Sequence, residues 1–297
     1  MKRALVTGHS GFTGRHLVSR LQTDGYAVSG FDRSDGDIRD SEHVTRVVRT
    51  TQPEVVFHLA ATLKSEDPKD LYSVNVLGTV TLLDALVGLE TPPVVVVVSS
   101  SAVYGRTPAG RPVTERTVVR PQTHYGASKL AQEQVAMRYF HALGLSVIRV
   151  RTFNLLGPGL PTTLACGSFA DSIARLERRA TTDRLQTGNL TSARDFTDIR
   201  DVVRAYEAIA ERGRAGGVYN VCSGKATSLR HCVDVLIRLA KRPIATELDP
   251  ARVQESDVEV QVGDAGRLHD RTHWTPRIPI AESLADMLEY RRQEGRG

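Results

Sequence analysis

The stretch Val6-Thr7-Gly8-His9-Ser10-Gly11-Phe12-Thr13-Gly14 decides the fold of this chain. Its glycines recur at every third position, after a β-branched run that ends at Val6 and before a helical pattern. Glycine permits a tight turn, and it lets a diphosphate approach the backbone amides at the positive end of the following helix. The alternative is a plain tight turn, which the flanking strand and helix disfavour. The stretch therefore predicts a strand–turn–helix unit that binds a dinucleotide.

Short apolar strands alternate with helical patterns through the first half of the chain. Leu17, Val18 and Leu21 give the apolar stripe of a helix over about 15–23. Apolar, β-branched runs predict further strands at 26–31, 55–57, 94–98 and 146–150. Continuous apolar strands that alternate with helices indicate a parallel sheet covered on both faces. The expected fold class is therefore α/β, a Rossmann-type doubly wound parallel sheet.

The pattern changes after Val150. Gly157-Pro158-Gly159-Leu160-Pro161 interrupts regular structure, and the following segments are shorter and less apolar. A strand–helix signal returns at 198–209, and 217–221 has the pattern of a strand. We expect a dinucleotide-binding domain over 1–153, with its sheet completed by parts of 196–221. Residues 154–297 are expected to form mainly a smaller C-terminal substrate-binding lobe.

The composition fits a globular chain. Its 297 residues are 40% hydrophobic and 25% charged, and 39 Lys and Arg against 34 Asp and Glu give a net charge of +5. The basic residues are scattered among acidic ones, which disfavours nucleic acid as a partner. The longest apolar run, Val94 to Val98, is too short to cross a bilayer. Three widely spaced cysteines suit a reducing cytoplasm and indicate no metal site: Cys166, Cys222 and Cys232.

Two further segments carry candidate chemistry. Tyr125 and Lys129 share one face of a predicted helix, where the ammonium would lower the pKa of the phenol and make it a proton donor or acceptor near neutral pH. Ser99-Ser100-Ser101 follows the Val-rich strand, at the end where open parallel sheets bind ligands. A hydroxyl there can hydrogen-bond a carbonyl oxygen as charge develops on it. Tyr125 and Lys129 could instead be an ordinary surface pair, and the serines could be ordinary turn residues. Together with the glycine turn, however, these segments favour an active site.

With these motifs the chain resembles the extended short-chain dehydrogenase/reductase family, also called the NAD-dependent epimerase/dehydratase family, over nearly its whole length. The further matching segments are Gly36-Asp37-Ile38-Arg39-Asp40, His58-Leu59-Ala60-Ala61 and Asn75-Val76-Leu77-Gly78-Thr79. The resemblance implies an enzyme that uses NAD(H) or NADP(H). It selects Ser100, with Ser101 as the fallback, as the catalytic hydroxyl beside Tyr125 and Lys129.

The expected cofactor site combines the glycine turn with residues that the resemblance places around the dinucleotide. Asp32 ends the second strand and favours NAD(H), whereas Arg33 could neutralise the 2′-phosphate of NADP(H), so we expect both to be used. The full expected set is Gly8, Ser10, Gly11, Phe12, Thr13, Gly14, Asp32, Arg33, Asp37, Ile38, Leu59, Ala60, Ala61, Asn75, Tyr125 and Lys129.

The second half of the chain implies a nucleotide-diphosphate sugar as substrate, again by resemblance. Besides Ser100, the expected contacts are Asn154 with the sugar nucleotide, Arg194 with the diphosphate, and Arg252 as a further substrate contact. The segments around them are similar to reductases of nucleotide-linked 4-keto-6-deoxyhexoses, of the GDP-4-keto-6-deoxymannose type. Those proteins often carry Arg-Pro-x-Asp near the nucleotide, where this chain has Gln254-Glu255-Ser256-Asp257. The nucleotide base therefore stays open.

Reduction of a 4-keto group is the favoured function. A 4-epimerase would use the same Ser100, Tyr125 and Lys129 with a retained NAD, and it is the alternative. A dehydratase would carry an acidic residue where Ser101-Ala102 follow the hydroxyl. A non-catalytic dinucleotide-binding protein commonly lacks the Tyr or the Lys.

The resemblance also implies a homodimer, formed through the helix that carries Tyr125 and the helix near Asn75. Leu130, Val135 and Phe140 would face either the partner or their own sheet.

Overall fold

A computed structural model describes residues 1–107, 110–178, 184–253 and 260–294. The strands, in chain order, are β1 Arg3–Thr7, β2 Ala27–Phe31, β3 Val55–His58, β4 Val94–Ser100, β5 Val147–Thr152, β6 Asn154–Leu156, β7 Leu185–Thr187, β8 Ala193–Asp198, β9 Val218–Val221, β10 Ala226–Ser228, β11 Thr246–Leu248 and β12 Val260–Gln261. The helices are α1 Phe12–Thr23, α2 Ser41–Thr51, α3 Pro68–Tyr72, α4 Gly78–Val87, α5 His124–Leu143, α6 Ala165–Arg178, α7 Ile199–Arg212, α8 Leu229–Leu239, α9 Gly266–Thr272 and α10 Ile280–Glu294.

Six parallel strands form the central sheet, in the order β2-β1-β3-β4-β5-β9. Strand β4 shows how this sheet separates two cores. Val95 and Val97 pack with α2, α4 and α5, whereas Val96 packs with α1 and α7. The expected doubly wound α/β fold is confirmed. Helix α1 begins at Phe12, three residues before the predicted start, because the glycine turn leads directly into the helix.

The second half builds smaller sheets next to the central one. Strand β8 pairs with β6, β10 and β12, and β7 pairs with β11. Helices α6, α8 and α10 supply a separate apolar core. Strand β9 returns from this region to the central sheet and pairs with β5. The chain therefore passes between the two parts more than once.

One stretch, 68–87, has the length and apolar composition of a membrane span. It comprises α3, a single π-helical turn over Ser73–Leu77, and α4. Leu82, Leu83 and Leu86 of α4 are buried with Val44 and Val48 of α2. Because these three leucines of α4 lie in the protein core, we interpret this stretch as a core helix.

Candidate active site

A cavity of about 450 Å³ lies over the carboxyl ends of β4 and β5. Ser100, Tyr125 and Lys129 line it together. Thr13, Leu59 and Ala61 line it on the side of the glycine turn, and Asn154 and Arg194 on the side of the smaller sheets. The structure thus brings the three expected catalytic residues to one place, between the expected cofactor and substrate contacts.

The local backbone explains how Ser100 and Tyr125 come together. The Ser100 hydroxyl accepts a hydrogen bond from the amide of Ala102, 3.2 Å away, and so caps the 3₁₀ turn that ends β4. The Thr123 hydroxyl caps α5 by accepting from the amide of Gly126. A Cβ on Gly126 would lie 2.6 Å from the carbonyl oxygen of Ala102. Only glycine lets α5 approach this turn closely enough.

Burial dominates the electrostatics of Tyr125 and Lys129, the expected catalytic pair. It lowers the pKa of Lys129 to about 7, an effect that Glu133 one turn later opposes. Burial also raises the pKa of Tyr125 above its usual value, and a hydrogen bond with Ser100 partly offsets this. The lowering of the Tyr125 pKa that its spacing from Lys129 predicts is therefore not seen. Each group is too poorly solvated to hold its charge easily.

A buried ion pair fixes α5 against β5 one turn beyond Lys129. The Glu133 carboxylate accepts two hydrogen bonds from the Arg151 guanidinium, at 2.9 and 2.7 Å, and a third from the Ser99 hydroxyl at 2.6 Å. The guanidinium also donates to the Tyr104 hydroxyl, 3.1 Å away. Glu133 is fully buried, so this bidentate pairing satisfies a charge that would otherwise be costly.

A neutral histidine ties the glycine turn to α4. His58 Nδ1 lies 2.8 Å from the Thr7 hydroxyl, and Nε2 lies 2.8 Å from the Thr79 hydroxyl. The Thr79 hydroxyl donates to the carbonyl of Asn75, so it accepts from Nε2, and Nδ1 accepts from Thr7. Burial, and then the charge of Lys129, lower the pKa of His58 to about 3. The neutral imidazole therefore positions Thr7, whose hydroxyl accepts from the Ala60 amide.

The glycine turn has the properties that a bound diphosphate requires. Gly8 adopts a φ of +72°, a conformation that favours glycine. A Cβ on Gly14 would collide with the carbonyl oxygens of Gly8 and His9. No side chain caps the start of α1 at Gly11, and its first turn carries no acidic residue. The free amides and the positive helix end therefore fit an anion.

The expected adenosine end of the site holds a cluster of charges. Asp32 accepts hydrogen bonds from the amide and hydroxyl of Ser34, at 2.8 and 2.7 Å. The pKa of this carboxyl lies well below its usual range. The largest cause is a hydrogen bond from Ser10, followed by those from Ser34, and His9 makes a smaller contribution. His9 Nδ1 lies 3.6 Å from Asp32 and 3.8 Å from Asp35. We interpret this His-Asp-Asp group as part of the ribose site rather than as a metal site, and Arg33 is exposed beside it.

The remaining expected cofactor residues lie after β2, after β3 and in the π-helical turn. Asp37 pairs with Arg39, which also donates to the Ser73 hydroxyl. Ile38 is buried beneath Gly78, where a Cβ would lie 2.6 Å from the isoleucine. Asn75 is fully buried in the π-helical turn, and its amide bonds the backbone of Thr62 and the hydroxyl of Ser128. Asn75 thereby fixes the loop after β3, which carries Leu59, Ala60 and Ala61.

The expected substrate contacts are only partly brought together. Asn154 donates to the carbonyl of Asp195, and burial lowers the pKa of Arg194. Both side chains line the cavity, whereas Arg252 does not. Arg252 lies in the short turn after β11, paired with Asp249 at 3.3 Å and with its backbone against Gly188. The segment 254–257, which differs from the related reductases, lies outside the described residues.

Several cavity-lining side chains were not among the predicted site residues, and Thr152, Cys166 and Tyr206 are examples. Tyr206 lies on the amphipathic helix α7, where an aromatic residue has the pattern of an ordinary core residue. Cys166 belongs to the core around α6, and Thr152 to the last position of β5. No local signal distinguishes these residues, because only the tertiary fold brings them to the cavity.

The model of the NAD dependent epimerase/dehydratase family matches residues 4–222. The chain belongs to this family. GDP-6-deoxy-D-mannose reductase of Pseudomonas aeruginosa is 35% identical over 295 residues, 97% of this chain and 96% of the relative. UDP-glucose 4-epimerase of Mycolicibacterium smegmatis is 31% identical over 98% of this chain and 99% of its own. The structure of RMD from Pseudomonas aeruginosa complexed with NADPH superposes with a TM-score of 0.91 and 30% identity, covering 99% of this chain and 100% of that one. The family expected from the motifs is confirmed.

Proposed function

We propose that this epimerase/dehydratase family member reduces the 4-keto group of a nucleotide-linked 4-keto-6-deoxyhexose with NADH or NADPH. The observation that carries the proposal is one cavity lined by Ser100, Tyr125, Lys129, Asn154 and Arg194. A hydroxyl, a phenol and a lysine suit carbonyl reduction, and a guanidinium suits a diphosphate. The 35% identity to a GDP-6-deoxy-D-mannose reductase over nearly the full length supports this substrate class.

Each catalytic side chain has a distinct task in this reaction. The bound cofactor supplies the hydride that the sugar carbonyl carbon accepts. Because burial raises the pKa of Tyr125, its phenol is protonated in advance and donates that proton to the carbonyl oxygen. Ser100 hydrogen-bonds the same oxygen as negative charge develops on it. The Lys129 ammonium then stabilises the phenolate left on Tyr125.

The cofactor would lie with its diphosphate at the glycine turn and its adenosine at Asp32. The carboxylate favours NADH, since it repels a 2′-phosphate. Arg33 beside it supplies a cationic group for the 2′-phosphate of NADPH. We expect the enzyme to use both cofactors, with kcat/KM values within about a hundredfold of one another, or about 2.7 kcal/mol.

A 4-epimerase is the second candidate, and the 31% identity to UDP-glucose 4-epimerase favours it. An epimerase returns its hydride to the same sugar, so it gains by retaining NAD through many cycles. A reductase must release the oxidised cofactor after each turnover. The trio of Ser100, Tyr125 and Lys129 serves both reactions equally, so the two are separated by cofactor exchange.

We further propose a cytoplasmic homodimer with a dinucleotide-binding domain over 1–153 and a substrate lobe over 154–297. Leu130, Val135 and Phe140 pack partly against the protomer's own cores, so these side chains are poor interface candidates. Leu77 and Leu143 are the exposed apolar residues of the proposed dimer helices, at 58% and 46% exposure. Their exposure supports an interface that involves these helices.

The test is a panel of GDP-, UDP- and dTDP-linked 4-keto-6-deoxyhexoses, each incubated with NADH or NADPH. We expect the protein to purify largely free of dinucleotide and to oxidise one equivalent of cofactor for each sugar reduced. Product analysis then identifies the base and the new stereocentre. Tightly retained NAD, with interconversion of two 4-hydroxy sugars and no net change in nicotinamide absorbance, would assign the protein to the epimerases.

A further inference from the structure

Thr152 and Tyr206 form a buried hydroxyl pair in the wall of the catalytic cavity. Their oxygens are 2.6 Å apart, and both residues line the cavity. Thr152 ends β5, whereas Tyr206 reaches it from α7 and is only 1% exposed. Neither residue has a role in the proton transfer described above.

The pair lies at the end of the cavity that holds Ser100 and Tyr125, which is here called the reacting end. In the sheet register Thr152 is the direct partner of Ser100, so the two residues sit on neighbouring strands about 5 Å apart. Asn154 follows two residues later. Tyr125 is close enough for its charge to contribute to the raised pKa of Tyr206, although burial is the main cause. The hydroxyl pair therefore faces the region where the carbonyl and the nicotinamide must meet.

The hydrogen bonds of the pair leave one donor unused. Two hydroxyl groups supply two O–H donors, and the bond between them uses one. Among residues 1–107, 110–178, 184–253 and 260–294, no acceptor is present for the other. A buried hydroxyl that lacks an acceptor is costly, and native proteins rarely leave one so. The accessible side of this pair is the cavity itself.

We propose that the Thr152–Tyr206 pair donates a hydrogen bond to an oxygen of the bound reactants and so fixes their position at the reacting end. The inference rests on the proposed function, since it takes the occupants to be a keto sugar and a nicotinamide. Two oxygens have the required chemistry: a sugar oxygen near the reacting carbon and the carboxamide oxygen of the nicotinamide. Both are neutral acceptors, and separate measurements distinguish them.

The test compares Tyr206→Phe, which removes only the hydroxyl, with Thr152→Val and Thr152→Ser. The matched control is Tyr219→Phe, because Tyr219 is equally buried but its hydroxyl accepts from the Arg214 amide, away from the cavity. The dissociation constant of NADPH is measured alone, and the KM of the keto sugar at saturating NADPH. Wild-type turnover is measured first, since its absence would count against the proposed function, while NADPH binding would still test the pair.

We expect Tyr206→Phe and Thr152→Val each to raise either the dissociation constant of NADPH or the KM of the keto sugar by about tenfold. Thr152→Ser and Tyr219→Phe should keep both constants near the wild-type value. A raised KM for the sugar identifies the sugar oxygen as the acceptor, and a raised dissociation constant for NADPH identifies the carboxamide. Unchanged constants with a lowered melting temperature would overturn the inference, because the pair would then be purely structural. A shift of the alkaline limb of the pH profile alone would also overturn it, because the donor would then serve Tyr125.

Discussion

Tyr125 is the side chain on which the proposed proton transfer depends most directly. Tyr125→Phe removes only the hydroxyl, so we expect kcat to fall by a factor on the order of 10² or more while cofactor and sugar still bind. Stopped-flow oxidation of NADPH and equilibrium binding measure the two effects separately. Tyr72→Phe is the control, because the Tyr72 hydroxyl contacts His124 outside the cavity lining. Near-full activity of Tyr125→Phe would show that another group donates the proton.

Lys129 makes the stability of the cofactor-free protein depend on pH. Its pKa is about 7 in the folded protein and about 10.4 in an unfolded chain. Between these values the unfolded chain binds the extra proton, so the free energy of unfolding rises with pH. Between pH 7 and pH 9, we expect the free energy of unfolding of the wild type to rise, relative to that of Lys129→Met, by up to about 1.4 kcal/mol per pH unit.

Urea denaturation of both proteins at each pH measures this difference, and the subtraction removes the contribution of all other titrating groups. Equal pH dependence in the two proteins would mean that the lysine keeps its ordinary pKa despite being only 2% exposed.

At this scale the sequence predicts the catalytic trio but not its surroundings. The spacing of Tyr125 and Lys129 on one helix face is local information, and so is the serine run at a strand end, from which the family resemblance selects Ser100. The partnership of Thr152 with Tyr206 joins residues from β5 and α7, and only the tertiary fold creates it. The predicted lowering of the Tyr125 pKa is wrong, because the spacing of two residues does not reveal that the site is buried.

Among the structural elements, the start of α5 is the one whose position the chemistry requires most. A Cβ at Gly126 would meet the Ala102 carbonyl at 2.6 Å, so Gly126→Ala must push α5 away from the turn that follows Ser100. We expect at least about a tenfold loss of kcat/KM, since small misplacements of catalytic groups are costly.

Gly88→Ala is the matched control, because its Cβ would find nothing closer than 3.6 Å. Steady-state kinetics and melting temperatures of the two variants are compared directly. If Gly126→Ala kept wild-type kcat/KM, the close approach of α5 would be irrelevant to the positioning of Tyr125.

The central strands are predictable because they contain short apolar, β-branched runs, of which Val94 to Val98 of β4 is the longest. Strands β6, β7 and β12 contain only two or three residues and pair with distant partners such as β8 and β11. Such short segments have no periodicity of their own, so the sequence does not reveal them. The sharp start of α1 at Phe12 likewise depends on the turn before it.

For the whole molecule, we expect a dimer whose interface includes the exposed residues Leu77 and Leu143. Analytical ultracentrifugation at micromolar concentration should give twice the protomer mass of 32.5 kDa. The double variant Leu77→Glu and Leu143→Glu should shift the protein to monomer, because it places charges in an apolar contact. Leu248→Glu, at an exposed leucine elsewhere, should leave the dimer intact. A wild-type monomer at these concentrations would contradict the proposal.

The source and fate of the hydride test the central claim most directly. The protein is given a nucleotide-linked 4-keto-6-deoxyhexose and NADPH that carries deuterium at both C4 positions of the nicotinamide. Because a reductase transfers hydride from exchangeable cofactor, we predict one deuterium at C4 of the product sugar and one equivalent of NADP⁺. If the keto sugar and the labelled NADPH both stayed unreacted while the protein interconverted the two 4-hydroxy epimers through retained NAD, reduction would be contradicted and internal hydride return would be the activity of this site.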